Sequence, residues 1–112
     1  MNTVKFTHNW NGKLNQGVFT TIRNYTSDKY KYYNNSVGAA FNVFLKGKGD
    51  IKQAILLKAE MVLYYDIPFG LIAVDTGITD EGKAFELFKK FGMEDERSWV
   101  IILTFGPTKE ER

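Results

Sequence analysis

Cysteine is absent from the 112 residues, and histidine occurs once, as His8. Neither a disulfide nor a thiolate metal site can form, and a zinc site would have to rest on carboxylates, so no metal and no cofactor is expected. Lack of cysteine also fits a reducing, cytoplasmic setting. No run of about 18 apolar residues occurs, and the N-terminus has no charged region leading into an apolar core. The expectation is a soluble, non-secreted chain with no membrane partner. Its length suits one domain, residues 1–107, with a frayed tail at 108–112.

Charge is small overall and uneven in its distribution. Residues 1–56 hold eight Lys or Arg against two Asp, a balance of +6, whereas residues 57–112 hold seven basic against eleven acidic residues, a balance of −4. In the basic half, Lys29 and Lys31 are interleaved with Tyr30 and Tyr32 and followed by Asn34 and Asn35. Lysines can neutralise phosphate while tyrosines stack on unpaired bases, which suits a nucleic-acid partner. Equally, tyrosine-rich segments form strands and pack, so a structural reading stands beside the functional one.

The segment from Gly17 through Thr20, Thr21 and Ile22 to Arg23 reads as a glycine turn feeding a strand. Strand alternation sets Thr20 and Ile22 on one face and Thr21 and Arg23 on the other. An arginine held on a rigid element beside hydroxyls offers a fixed fork of donors to phosphate or carboxylate. The plainer reading is a surface arginine on an edge strand.

Around this segment the pattern predicts a short strand at 3–6 and one turn of helix at 13–16 ended by Gly17. A tyrosine-rich strand follows Asp28, and a further strand at 40–46 leads through a hairpin into a long strand at 53–65. In that last strand the odd-numbered residues are apolar, and its length predicts a bend or bulge. Lys58 and Glu60 form at most a weak surface pair there. Pro68 stops the strand. A short helical or irregular cover at 69–74 then leads to Asp75-Thr76-Gly77. Thr79 caps a helix with Asp80 and Glu81 in its first turn, apolar positions from Ala84 to Phe91, and Lys89, Lys90 and Gly92 at its end. An acidic loop at 93–98 precedes a last strand, 99–105, apolar on both faces and hence covered on both. The fold class is α+β: a small barrel of five or six strands with one main covering helix.

This order of elements, with Gly17 and Arg23 early, a long hairpin in the middle and Asp75 ahead of an acidic-capped helix, resembles the ASCH domain of the PUA-like superfamily over nearly the whole chain. The resemblance implies a PUA-like β-barrel whose cleft binds RNA or a modified nucleoside. The family's early Gly-x-Lys-Thr-x-x-x-Arg motif is matched at its ends by Gly17 and Arg23, one residue too close together. Its lysine is missing: the position falls on Val18 or Phe19, depending on which end the count starts from. One branch of the family is an amidohydrolase of acylated cytidine using lysine, threonine and an acidic residue. The threonine carries over to Thr21 and the acid to Asp75, and Lys13 is the residue that could supply the amine from a different backbone position. Asp75 has a structural alternative, since Asp-Thr-Gly is a common turn.

Two function classes follow. In the first the chain binds RNA or a nucleotide beside the Gly17-to-Arg23 strand, with Gly17, Thr20, Thr21, Arg23, Lys29, Tyr30, Lys31 and Tyr32 as contacts. In the second it is a small amidohydrolase of N-acylated cytidine nucleosides, or a ribonuclease, with Thr21, Asp75 and Lys13 as catalytic groups. Oligomeric state is open at this level.

Overall fold

A computed structural model of the chain describes residues 2–6, 9–90, 93 and 97–108. His8, the helix end at Phe91 and Gly92, the acidic residues 94–96 and the tail 109–112 lie outside the described residues. The strands are β1 (Asn2–Phe6), β2 (Phe19–Asn24), β3 (Ala40–Leu45), β4 (Gly49–Leu63) and β5 (Trp99–Gly106). Among the described residues the helices are α1 (Ser27–Asn35), α2 (Phe69–Thr76) and α3 (Glu81–Lys90); α3 is the expected main helix, α2 takes the place of the short helical or irregular cover expected at 69–74, and α1 stands where a strand is expected.

The strands form one mixed sheet in the order β1-β3-β4-β5-β2, with β1 parallel to β3 and the other pairs antiparallel. In a flat sheet the edges β1 and β2 would lie about 19 Å apart, at roughly 4.8 Å per step. Yet Arg23 on β2 donates a 2.9 Å hydrogen bond to the Lys5 carbonyl of β1. The sheet is therefore curled into a half-barrel whose two edges face each other across a seam. Val4, Phe6, Phe19, Phe41, Val43, Leu56, Leu103 and Phe105 fill its interior, where Phe41 and Phe105 meet edge to face at 5.4 Å. A second cluster on the outer face joins Ile22, Val100 and Ile102 to Ile72 of α2 and to Ala84 and Phe88 of α3. Strand β5 contributes to both clusters, as its two apolar faces require.

Two irregularities steer β4. Opposite β3 the register slips between Val43 and Phe44, and opposite β5 it slips between Leu56 and Lys58, leaving Leu57 without a direct partner. Each extra residue flips the side-chain parity. The inward face is thus carried by Ile51, then Ala54 and Leu56, then Ala59, not by the odd-numbered set throughout. Leu57 is turned outward and lies over Gly106, where an added Cβ would come within 2.6 Å of it. The expected Lys58–Glu60 pair forms at 3.3 Å between exposed side chains.

The tyrosine-rich segment is a helix and not a strand. The Thr26 hydroxyl accepts from the Lys29 backbone N–H at 3.1 Å, a threonine cap followed by Asp28 in the first turn. Tyr30 and Tyr33 then fall three residues apart on the face that packs against the barrel core. Capping and burial of that face override the strand preference of tyrosine. The turn at 13–16 is a longer 3-10 segment, Trp10–Asn15, and Gly17 lies in an exposed bend ahead of β2. At α3 the capping oxygen belongs to Asp80, which accepts from Lys83 N–H at 3.0 Å, and not to Thr79. Thr108 is buried.

Candidate functional site in the barrel seam

Strand β2 delivers its two faces to different neighbours. Phe19, Thr21 and Arg23 point into the half-barrel, while Thr20 and Ile22 point toward the helices. The 3-10 segment crosses from β1 to β2 and anchors itself with Leu14 in the core, which carries Lys13 to the seam. Helix α2 approaches from the other side. Its last turn holds Asp75, and Gly77 closes it in the left-handed region at φ 77°, with its N–H on the Ala73 carbonyl at 2.7 Å.

These elements converge on one carboxylate oxygen. Lys13 Nζ donates to Asp75 Oδ1 at 3.0 Å, and Thr20 Oγ1 lies 3.1 Å from the same atom. Lys13 is 6% exposed and Asp75 3%. The turn role open to Asp75 falls instead to Thr76, whose hydroxyl donates to the Ile72 carbonyl and accepts from Ile78 N–H. The Asp75 side chain is thereby left to face the seam.

Burial shapes the ionisation of the pair. It pulls the Lys13 amine below its usual 10.5, against the attraction and hydrogen bond of Asp75, and Arg23 pulls it further down. Burial also pushes the Asp75 carboxyl above 3.8, opposed by Lys13, Thr20 and a backbone hydrogen bond from Ile22. An acid and an amine are thus each moved toward neutrality and held in contact, an environment common at reactive sites.

Arg23 forms the second half of the site. Its Nε donates to Thr21 Oγ1 at 3.1 Å, its Nη2 to the Lys5 carbonyl at 2.9 Å, and the guanidinium lies 4.7 Å from the centre of the Phe6 ring. Lys13 Nζ is 5.4 Å from the same ring. Burial lowers the Arg23 pKa, countered by Tyr33 and Asp75, and the Tyr33 hydroxyl is raised chiefly by its own burial. Guanidinium remains charged at any physiological pH. Lys13, Arg23 and Asp75 together leave one positive charge in excess.

Of the residues picked out in sequence, Lys13, Thr20, Thr21, Arg23 and Asp75 are brought together. Thr20, rather than Thr21, meets the Asp75 carboxylate, and Thr21 instead positions Arg23. Gly17 is exposed, and an added Cβ there meets nothing within 4 Å, so its backbone does not demand glycine for space. Lys29 and Lys31 are exposed on α1, and Tyr32 packs edge to face on Tyr33 and Phe41 with part of its ring in solvent. Tyr30 packs near Tyr25 and the core. Phe6 and Tyr33 are the site residues that sequence reasoning passed over. The Tyr30-to-Tyr33 spacing is the signal that could have placed Tyr33 on an inward helix face.

Among the described residues no cluster of His, Asp and Glu suits a metal ion, and no helix is long and apolar enough to cross a membrane. Comparison of the chain with protein-family models, curated proteins and solved structures finds no match.

Proposed function

We propose that the chain is an RNA- or nucleotide-binding domain of the PUA-like, ASCH type, which takes its ligand at the seam between β1 and β2. The observation that carries this reading is the pinned guanidinium of Arg23 within a cluster of net charge +1. Thr21 and the Lys5 carbonyl hold two of its nitrogens and Phe6 supports its plane, so the remaining donor edge is set before an anion arrives. Preorganisation of this kind lowers the ordering cost of binding phosphate. Lys29 and Lys31 on α1 extend the positive field, and Tyr32 offers ring surface for a base.

The test is titration of wild type and Arg23→Ala against single-stranded RNA, single-stranded DNA and a tRNA pool over a range of salt, with the nucleic acid inspected for cleavage. Affinity should fall as salt rises. Arg23→Ala should weaken binding about 10- to 100-fold, the worth of charge-assisted hydrogen bonds. Binding indifferent to both salt and Arg23 would sink the proposal.

The Thr20–Asp75–Lys13 array favours a second reading, amide hydrolysis of an N-acylated cytidine. A hydroxyl in contact with a carboxylate has the base that a threonine nucleophile requires. Thr20 Oγ would attack the acyl carbonyl as Asp75 takes its proton, the exocyclic amine would leave protonated, and water would then release the acid and restore the hydroxyl. Release of acetate from N4-acetylcytidine that is lost in Thr20→Val and kept in Thr21→Val would establish it. No release by the wild type would exclude it.

A further inference from the structure

A cavity of about 440 Å³ lies on the outer, helix-covered side of the sheet, between the residues that follow β4 and the start of α3. Its lining includes Tyr64, Tyr65, Phe69 and Phe85, with Glu81 and Gly82 from the first turn of α3. Tyr64 is packed in place by Phe85 and Phe88, with ring centres 5.9 and 5.3 Å away, so this wall is rigid. We infer that the cavity is a second binding site, independent of the seam, for an N-methylated or quaternary ammonium group.

Three features of the site select that chemistry. Aromatic rings attract cations through their quadrupole, and the methyl groups of an alkylammonium match the ring surfaces of a mixed polar and aromatic wall while spreading its charge. Phe85 already shows this behaviour, since Lys89 Nζ lies 5.5 Å from its ring centre. The charged side chain in the lining is Glu81, and Asp80 stands beside it at the helix cap. The two carboxylates oppose the roughly half positive charge of a helix N-terminus and the Lys89 ammonium at Phe85, so the mouth keeps an acidic side at Glu81. Finally, glycine in the first turn costs α3 roughly 0.5–1 kcal/mol relative to alanine. At Gly82 that cost leaves one wall of the cavity without a side chain.

The experiment is an NMR titration of the full chain with choline and, separately, with its uncharged carbon isostere 3,3-dimethyl-1-butanol, following amide and aromatic resonances. Choline should give saturable shifts centred on Glu81, Gly82 and Phe85, with affinity about tenfold above the isostere, the range expected for a cation over aromatic rings beside a carboxylate. Glu81→Gln and Tyr65→Ala, both at exposed side chains, should each weaken choline binding severalfold while the remaining spectrum stays in place. Gly82→Leu should abolish it by filling the cavity, at the cost of a small adjustment where the new Cβ meets Asp80 Oδ1 at 3.3 Å. A final arm compares free trimethyllysine with the same residue inside a short peptide: tighter binding of the peptide assigns the cation to a protein partner, and equal or weaker binding assigns it to a free metabolite. Equal binding of choline and its isostere, or the absence of saturable shifts, would overturn the inference.

Discussion

The seam lies between the two edges of the curled sheet and the cavity on its helix-covered face, and they use charge in different ways. At the seam Lys13 is buried and Arg23 half-buried, both fixed by hydrogen bonds and together in excess of Asp75, whereas at the cavity the acids stand at the rim and aromatic rings supply part of the wall. Strand β2 shows how one segment serves both faces. Thr21 and Arg23 turn inward to the seam, Thr20 turns outward to Asp75, and Ile22 turns outward into the layer that carries α2 and α3. Buried charge lowers stability unless it is paired, whereas rim charge costs little, so the two regions should respond very differently to substitution.

The largest effect is expected at the buried pair. Lys13→Met or Asp75→Leu alone removes the opposite charge from a buried ion pair and should destabilise the fold by about 3–5 kcal/mol, whereas the double variant should match the wild type or exceed it by about 1–4 kcal/mol. Urea midpoints measure both. A double variant as unstable as either single one would mean that the pair supports the fold rather than a ligand. The pair should also leave a mark on the pH profile. Because the folded-state pKa of Asp75 lies above 3.8, the folded chain holds a proton that the unfolded chain has released, and stability falls as pH rises from the unfolded carboxyl range through the Asp75 titration. At Lys13 the folded chain gives up a proton that the unfolded chain keeps until 10.5, so stability rises from the lowered lysine value up to 10.5. Relative to the double variant, the wild type should show a trough between the two titrations. Parallel profiles would contradict the shifts.

Arg23→Lys comes next in size. A lysine keeps the charge but cannot hold Thr21 and the Lys5 carbonyl with one planar fork. RNA affinity should fall about tenfold at constant salt. The salt slope should stay near that of the wild type, since the number of positive charges is unchanged. A slope that dropped along with affinity would mean that Arg23 acts as a loose surface charge, and the contrast between a rigid seam and a soft rim would weaken.

The elements written as local patterns were legible in the sequence. The last strand alternates two apolar faces from Val100 to Phe105, and α3 has acids at its start, lysines at its end and Ala84 and Phe88 on one side. Lys13, Thr20, Thr21, Arg23 and Asp75 were each singled out, yet their grouping was not readable. Lys13 and Asp75 are 62 positions apart and meet only because the sheet curls and α2 folds back on β2. The parity flips in β4 were hidden for a related reason: which residue bulges is decided by the register against β3 and β5, not by β4 itself. The tyrosine segment is helical against the strand preference of tyrosine, because a threonine cap at Thr26 and burial of the Tyr30 and Tyr33 face together outweigh that preference.

The smallest expected effect separates charge from capping at the mouth of the cavity. Asp80 has two jobs: its Oδ1 accepts from Lys83 N–H at the start of α3, and its charge adds to that of Glu81. Asparagine keeps the accepting oxygen without the charge, and alanine removes both. Asp80→Asn should leave Tm nearly unchanged, whereas Asp80→Ala should lower it by about 4–8 °C, the equivalent of one lost cap. If the cavity reads charge, choline affinity should fall by the same small factor in both variants, about two- to fivefold for a rim carboxylate. An affinity that tracked Tm instead would mean that the ordered first turn of α3 matters more than its sign, and the opposition between a positive seam and a negative cavity would then rest on Glu81 alone.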